Sequence, residues 1–399
     1  MEFSKRVLNM QASPIRKLIP YAEQAKKMGK TVLHLNIGQP DLETPKAFFD
    51  YIEKHNPEII SYTHSAGLIE LREAFSKYYK DNNIPFTPEE IIVTNGGSEA
   101  IIFALGAIAD PGDEIIVIEP FYANYKGFAE MINVKLVPVR ALPETGYAVP
   151  SINEFEAVLS NRTKGIIFSN PSNPTGAVYS EEELKTIVEF AKKHDLYIIS
   201  DEVYREFTFD GTKHISTMAF GEYNRTIVVD SISKRYSACG ARVGVFATKN
   251  RELYNQVMKM AQSRLCPPMI AQLGTIGLLE MDKSYIESVY KEYDKRRLAV
   301  YEELSKIEGA VFEKPKGAFY VSVKLPVDNS EKFVKWLLTD FSIENTTVMV
   351  APLNGFYATP NTGMQEIRIA YVLNSEKLRF ATKILAEAVK VYNNGRVIS

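Results

Sequence analysis

The sequence has little of what marks several large classes of protein. Its 399 residues include only two cysteines, Cys239 and Cys266, which are too few for a disulfide framework and fit a reducing compartment. The formal net charge of −2 gives no reason to expect nucleic acid or an anionic membrane as a partner. No apolar run approaches the roughly 20 residues of a membrane span, and the first residues lack the apolar core of a signal peptide. We therefore expect a cytoplasmic protein with two or three domains, at about one per 150 residues.

One stretch, residues 230–244, carries a clear chemical signal. It lies between two strand-like runs and contains two serines, a lysine and, eight residues later, an arginine: Ser231, Ser233, Lys234 and Arg242. An amine flanked by hydroxyls and a guanidinium suits a cofactor with a reactive carbonyl and a phosphate, such as pyridoxal phosphate (PLP). In this interpretation the lysine forms the Schiff base, and the serines and Arg242 hold the phosphate. The alternative is a surface loop with an ordinary solvated lysine, so the rest of the chain has to decide.

Strand-like and helical patterns alternate from about residue 90 to residue 250. Short apolar runs typical of buried strands are each followed by a segment with helical spacing. The alternation predicts an α/β fold with a mostly parallel sheet covered on both faces. Beyond it the pattern is helical as far as Glu308, and a smaller α+β unit is expected after that. Its strand-like runs begin at Ala310, Ala318, Thr347 and Ile367.

Polar motifs stand where the strands of the predicted sheet end. They are Gly97-Ser98, Tyr122, Asn173, Asp201 to Tyr204, and Ser231 to Lys234. Because ligands of such sheets bind beyond the carboxyl ends of the strands, we expect the five motifs at one edge. The glycine pair at 96–97, between a strand and a helix, adds an anion site of backbone N–H groups, although the third glycine of a dinucleotide fingerprint is missing. This convergence favours the cofactor interpretation.

In order and spacing, the motifs resemble the class I/II aminotransferases of PLP-dependent fold type I, over nearly the whole chain. The residues that carry the resemblance are Gly38-Gln-Pro-Asp41, Tyr62 with Gly67, Gly96-Gly-Ser-Glu-Ala100, Asn173-Pro-Thr-Gly176, Asp201-Glu-Val-Tyr204, Ser231-x-Ser-Lys234 with Arg242, and Arg368. The resemblance implies a mostly parallel, seven-stranded sheet in a large PLP-binding domain of residues 46–295. Residues 1–45 and 296–399 would form a small α+β domain that closes on the active site.

The resemblance also implies a role for each site residue. Lys234 binds PLP and, once freed by the substrate, moves a proton at the substrate Cα, while Asp201 keeps the pyridine nitrogen protonated. Asn173 and Tyr204 hydrogen-bond the phenolic oxygen, and Tyr122 stacks on the ring. Further cofactor-binding residues are expected to be Gly97, Ser98, Glu99, Ser231, Ser233, Arg242 and, from the second subunit of a homodimer, Tyr62. No metal ion is predicted.

Substrate binding is predicted to depend on Arg368, which would pair bidentately with the α-carboxylate, helped by Asn173 and the backbone of Gly38. Members specific for dicarboxylates supply a second arginine for the distal carboxylate, and Arg264, in the loop 262–268, is the candidate. The alternative for Arg264 is an interface or surface arginine. The resemblance thus implies an aminotransferase with aspartate and 2-oxoglutarate as the favoured pair. An aminotransferase for aromatic or other amino acids, a PLP-dependent C–S β-lyase and a non-catalytic regulator remain alternatives.

Overall fold

The structure, a computed structural model, describes residues 2–397. Its strands are β1 Thr31–His34, β2 Ile91–Thr94, β3 Glu114–Glu119, β4 Lys135–Arg140, β5 Thr163–Ser169, β6 Tyr197–Asp201, β7 Thr226–Ser231, β8 Gly244–Ala247, β9 Tyr320–Lys324, β10 Thr346–Met349, β11 Ala351–Pro352 and β12 Glu366–Ala370. Its helices are α1 Lys5–Asn9, α2 Ile19–Lys27, α3 Lys46–His55, α4 Ile69–Asp81, α5 Gly96–Ile108, α6 Asn124–Met131, α7 Ile152–Val158, α8 Glu181–Lys193, α9 Arg251–Arg264, α10 Met269–Leu279, α11 Ser284–Leu304, α12 Ser330–Thr339 and α13 Ser375–Val397.

The largest sheet has seven strands in the order β2-β8-β7-β6-β5-β3-β4. Strand β8 runs antiparallel to its two neighbours, and all other neighbouring strands run parallel. The predicted α/β fold with a mostly parallel seven-stranded sheet is therefore confirmed. The sequence patterns did not indicate β4, because Lys135, Pro138 and Arg140 leave it without an alternating or continuous apolar run. It is an edge strand, where a sheet tolerates proline.

Helices pack on both faces of this sheet. In β7, Ile227 and Val229 belong to the apolar cluster that contains residues of α5 and α9. Val228, between them, belongs to the cluster that contains residues of α4. Because successive residues of a strand point to opposite faces, a strand covered on both sides is apolar throughout. This explains why strands such as β3 and β7 stand out in the sequence as continuous apolar runs rich in valine and isoleucine.

The smaller α+β unit combines an early segment of the chain with its last quarter. Strand β1 pairs in parallel with β10, and β12 lies between β11 and β9 in an antiparallel sheet. Residues of α2, α11, α12 and α13 share its apolar core. The strand expected at Ala310 is reduced to one bridge, from Val311 to Lys324, because only that residue lies beside the end of β9.

The predicted domain limits stay a prediction, and the limit at 295/296 lies inside α11. In residues 2–397 no helix combines the length and the apolar character that crossing a membrane requires.

Candidate active site

The carboxyl ends of the neighbouring parallel strands β5, β6 and β7 lie side by side at one edge of the sheet. Ser169, the last residue of β5, is in register with Asp201, the last residue of β6, and Asp201 is in register with Val229 of β7. The segments that follow these parallel strands surround a cavity of about 410 Å³, a volume typical of small-molecule sites. The predicted residues that line it are Gly38, Gly97, Ser98, Tyr122, Asn173, Asp201, Tyr204, Ser231, Ser233, Lys234, Arg242 and Arg368.

Lys234 lies in this pocket with its amine held by the chain. Its Nζ donates to the carbonyl oxygen of Gly38 at 2.8 Å and lies 3.7 Å from the sulfur of Cys239. A side chain at Gly38 would collide with the hydroxyl of Tyr320, so only glycine lets the backbone approach this closely. The lysine therefore reaches from the loop after β7 to a loop of the smaller unit, across the width of the pocket.

Asp201 is a buried carboxylate without a cationic partner in the part of the chain that the structure describes. One oxygen accepts from the hydroxyl of Tyr125 at 2.6 Å, and the other accepts from the backbone N–H of Val203 at 3.3 Å. Burial raises the pKa of Asp201 to about 6, although the hydrogen bond from Tyr125 opposes that rise. A cationic group placed in the pocket beside Asp201 would stabilise its charged form.

Arg368, in the middle strand of the small antiparallel sheet, is 1% exposed. Its Nη1 donates to Asn173 Oδ1 at 2.9 Å and its Nη2 to the carbonyl oxygen of Asn36 at 2.7 Å, while its Nε has no partner. The ring of Tyr320 lies 4.5 Å from the guanidinium carbon, and the Tyr320 hydroxyl lies 2.8 Å from that of Tyr204. Among residues 2–397 no carboxylate pairs with Arg368, and burial lowers its pKa. The pocket thus presents a guanidinium that suits a carboxylate from outside the chain.

Hydroxyl, guanidinium and backbone groups gather at one end of the pocket. The hydroxyls of Ser231 and Ser233 lie 2.7 Å apart, and the Arg242 guanidinium donates to two backbone carbonyls at 3.1 and 3.3 Å. Helix α5 begins at Gly96, whose φ is +74° and where a side chain would collide with Arg242. The free N–H groups at a helix start, two hydroxyls and a guanidinium are the donors that bind phosphate in proteins.

Three residues predicted at the site do not line this pocket. Arg264 forms an ion pair with Glu99 at 3.1 Å and donates to the carbonyl oxygen of Ser65 at 3.0 Å. The carboxylate of Glu99 thus faces a guanidinium rather than the anion site, as charge attraction favours. Tyr62 is 80% exposed and borders a separate surface hollow with residues 266–269. The roles predicted for Tyr62 and Arg264 need a second subunit, and they stay predictions.

The sequence patterns missed a group of four buried charged residues beneath the pocket, which we call the buried clamp: Glu202, Arg205, Asp230 and Arg235. Arg235 pairs with both oxygens of Asp230 at 2.8 and 3.0 Å. Arg205 lies 3.0 Å from Glu202 and 3.8 Å from Asp230. Each clamp residue is the sequence neighbour of a pocket residue, which is the signal that could have revealed it.

Two tyrosines were also missed as site residues. Tyr125, in α6, hydrogen-bonds Asp201, and Tyr320, in β9, contacts both Arg368 and Tyr204. Both lie far along the chain from their partners, and as aromatic residues of a helix and a strand they look like ordinary core residues in the sequence.

The sheet and the pocket define a class of enzyme that binds a phosphate-bearing, carbonyl cofactor at a lysine, and comparison with known proteins gives the family. Residues 30–385 match the family described as aminotransferase class I and II. The chain belongs to this PLP-dependent family, and the resemblance noted in the sequence is confirmed.

Several relatives match over nearly their whole length. A (5-formylfuran-3-yl)methyl phosphate transaminase of Methanocaldococcus jannaschii is 34% identical, over 94% of this chain and 96% of the relative. An aspartate aminotransferase of Pyrococcus horikoshii is 33% identical, over 97% of both chains. The solved structure of an alanine aminotransferase from Pyrococcus furiosus is 31% identical and superposes with a TM-score of 0.90, over 98% of this chain and 100% of that one. Three different substrates appear in these names, so the family and its cofactor are shared while the substrate varies.

Proposed function

We propose that the protein moves the amino group of an L-amino acid, with aspartate as the favoured donor, to 2-oxoglutarate, and that Lys234 binds the PLP. The observation that carries the proposal is the presence of Lys234 and the unpaired Arg368 in one pocket. A buried guanidinium without an anion is costly in free energy, and the α-carboxylate common to all amino acids relieves that cost. A lysine beside a carboxylate-binding arginine is the arrangement that amino-group transfer through PLP requires.

The pocket fits PLP because each polar part of the cofactor meets a complementary group. The two serines and Arg242 suit the phosphate, and Asp201, a buried carboxylate with a raised pKa, suits a protonated ring nitrogen. PLP, when bound, supplies a ring that accepts negative charge developed at the substrate Cα. Lys234 is the base within the pocket that takes and returns the Cα proton. Tyr204 and Asn173 are the donors proposed for the phenolic oxygen of PLP.

The charge of the pocket supports an acidic substrate. Four lining side chains are cationic, namely Arg16, Lys234, Arg242 and Arg368, and one, Asp201, is a carboxylate. PLP accounts for the charges of Lys234 and Arg242, and one substrate carboxylate accounts for Arg368. One cation is left over, which favours a donor and an acceptor with a second carboxylate, such as aspartate and 2-oxoglutarate.

A donor screen against 2-oxoglutarate tests this function. Among the amino donors, we expect aspartate to give the fastest formation of glutamate from 2-oxoglutarate. Oxaloacetate should accumulate, and no ammonia should be released. Faster turnover of aromatic or aliphatic donors would contradict the preference for aspartate and leave the aminotransferase. A 2-oxoacid and ammonia formed from a C–S substrate without 2-oxoglutarate would instead show the β-lyase, and no turnover of any donor would show the regulator.

We further propose that the enzyme is a homodimer and works in the cytoplasm. Tyr62 is exposed beside two other exposed apolar residues, Ile59 and Ile60, and Leu265 is exposed in the predicted loop 262–268. Apolar side chains gathered on a surface mark a site of protein association. Both cysteines are unpaired, which suits a reducing compartment.

A further inference from the structure

We infer that Arg16, and not Arg264, binds the distal carboxylate of the dicarboxylic substrates. The inference rests on the proposed function, because it names the residue that gives the proposed donor its advantage. It starts from the pocket's charges. Arg16 is the lining cation that neither PLP nor the α-carboxylate uses, and no described residue forms an ion pair or a side-chain hydrogen bond with it.

A chain of hydrogen bonds connects the segment that carries Arg16 to Arg368. Nη2 of Arg368 donates to the carbonyl oxygen of Asn36 at 2.7 Å, and Nδ2 of Asn36 donates to the carbonyl oxygen of Ile15 at 3.3 Å. One buried asparagine therefore fixes the position of the α-carboxylate anchor relative to the residue before Arg16. Asn36 therefore positions both Arg368 and the segment that carries Arg16.

Packing holds this segment against the pocket. The backbone N–H groups of Arg16 and Lys17 both donate to the carbonyl oxygen of Ser13, at 3.1 and 3.2 Å, which makes a compact turn. Ile15 packs on an apolar cluster that includes Phe356. The ring of Phe356 lies 5.0 Å from the guanidinium carbon of Arg368. The side chain of Arg16 is exposed and lines the pocket, on an anchored backbone.

Two other candidate cations, Lys17 and Arg264, already form ion pairs within the chain. Lys17 pairs with Glu331, and Arg264 pairs with Glu99 and donates to the carbonyl oxygens of Ser65 and Val93 at 3.0 and 3.3 Å. Arg264 would have to give up these contacts to meet a substrate, whereas Arg16 gives up only water. A guanidinium can donate to both oxygens of the distal carboxylate, and Arg16 does so as the substrate displaces solvent from the pocket.

The donor half-reaction tests the inference without interference from 2-oxoglutarate, which carries a distal carboxylate of its own. Loss of the PLP absorption band is followed after mixing the PLP-loaded enzyme with aspartate or with alanine. In Arg16→Ala we expect the second-order rate constant of the half-reaction with aspartate to fall about tenfold to a hundredfold, which is the range for the loss of one hydrogen bond to a charged group. For alanine it should stay within about threefold, because alanine has nothing for Arg16 to bind.

Three further variants and one binding measurement complete the test. Arg16→Lys should restore part of the aspartate rate, and Lys17→Ala, the adjacent cation, should leave the aspartate-to-alanine ratio unchanged. Maleate, an unreactive dicarboxylate, should bind about tenfold more weakly to Arg16→Ala by calorimetry. Equal losses for both donors, or no loss, would overturn the inference, as would an Arg264→Ala variant that alone lowers the aspartate rate. If the wild type transfers from no donor, the proposed function fails, and the maleate affinity still decides the role of Arg16.

Discussion

At Asp201 the pocket contains a carboxylate whose charge the polypeptide does not balance. Burial raises its pKa, and the hydrogen bonds from Tyr125 and Val203 offset only part of that effect. Between pH 3.8 and about 6 the folded apoprotein keeps a proton on this carboxyl that the unfolded chain has released. The stability contributed by Asp201 is therefore present below pH 3.8 and is lost as the pH rises through about 6.

Asp201→Asn should remove this pH dependence. The rise in pKa from 3.8 to about 6 corresponds to roughly 3 kcal/mol. Relative to the variant, the wild-type apoprotein should lose about that much free energy of unfolding between pH 3.5 and pH 7, as measured in urea at each pH. PLP should bind the wild type more tightly than the variant at pH 7, since the variant offers the ring nitrogen no charge. A constant difference in stability across the range would contradict the assignment of an uncompensated carboxylate.

Arg368→Ala should slow every amino-acid donor alike. Removing one partner of a buried ionic contact costs about 3–5 kcal/mol, or roughly two to four orders of magnitude in kcat/KM. All donors share the α-carboxylate, so the ratio of aspartate to alanine should not change, and the visible PLP band should remain. Steady-state kinetics with both donors measure this. A loss confined to aspartate would place the distal carboxylate, rather than the α-carboxylate, at Arg368.

Three pocket residues that sequence reasoning found lie at the ends of strands. Asp201 ends β6, and Asn173 and Lys234 lie in the segments after β5 and β7, whose apolar runs are plain in the sequence. A parallel sheet therefore brings them together without further information. The contacts of Tyr125 and Tyr320 could not be predicted from the sequence, because they depend on how α6 and β9 pack. Arg16 was missed for a related reason: it sits in a stretch with helical spacing, 14–28, but α2 begins only at Ile19 and the residues before it form a turn over the pocket.

At the scale of elements, the buried clamp joins the loop after β6 to the loop after β7. Lys234 and Asp201 face the pocket, while their neighbours Arg235 and Glu202 point away from it and belong to the clamp. The two loops that bear the main chemical groups are therefore held at a fixed spacing by charges that water does not reach.

Arg235→Met should destabilise the protein and loosen the pocket. The substitution leaves the buried Asp230 carboxylate without its bidentate partner, and this loss costs about 3–5 kcal/mol of stability in a buried pair. Lys324→Met is the matched control, since Lys324 pairs with Glu144 at the surface and exposed pairs contribute only about 0–1 kcal/mol. Urea unfolding measures the stability of both variants, and titration of each apoprotein with PLP measures the PLP affinity, which should fall if the two loops lose their spacing. Equal effects in the two variants would show that the clamp does not hold the pocket.

For the whole molecule, the predicted homodimer has a direct consequence for Tyr62, which lies outside the pocket of its own chain. If Tyr62 completes the neighbouring site, a Lys234→Ala subunit and a Tyr62→Ala subunit should form a hybrid with one complete site. Random reassociation of equal amounts should recover roughly a quarter of wild-type activity, because half of the dimers are hybrids with one of two sites intact. A fully active monomer in sedimentation, or mixtures no more active than the separate variants, would contradict shared sites.

Attachment of PLP to Lys234 is the central claim, and borohydride tests it most directly. Purified protein reconstituted with PLP is reduced, digested and mapped by mass spectrometry. We expect the visible band to disappear and the reduced cofactor to be recovered on one peptide, at Lys234, while Lys234→Ala should bind PLP without becoming labelled. Recovery of the label on any other lysine, or a wild-type protein that binds PLP and is not labelled at all, would contradict the account.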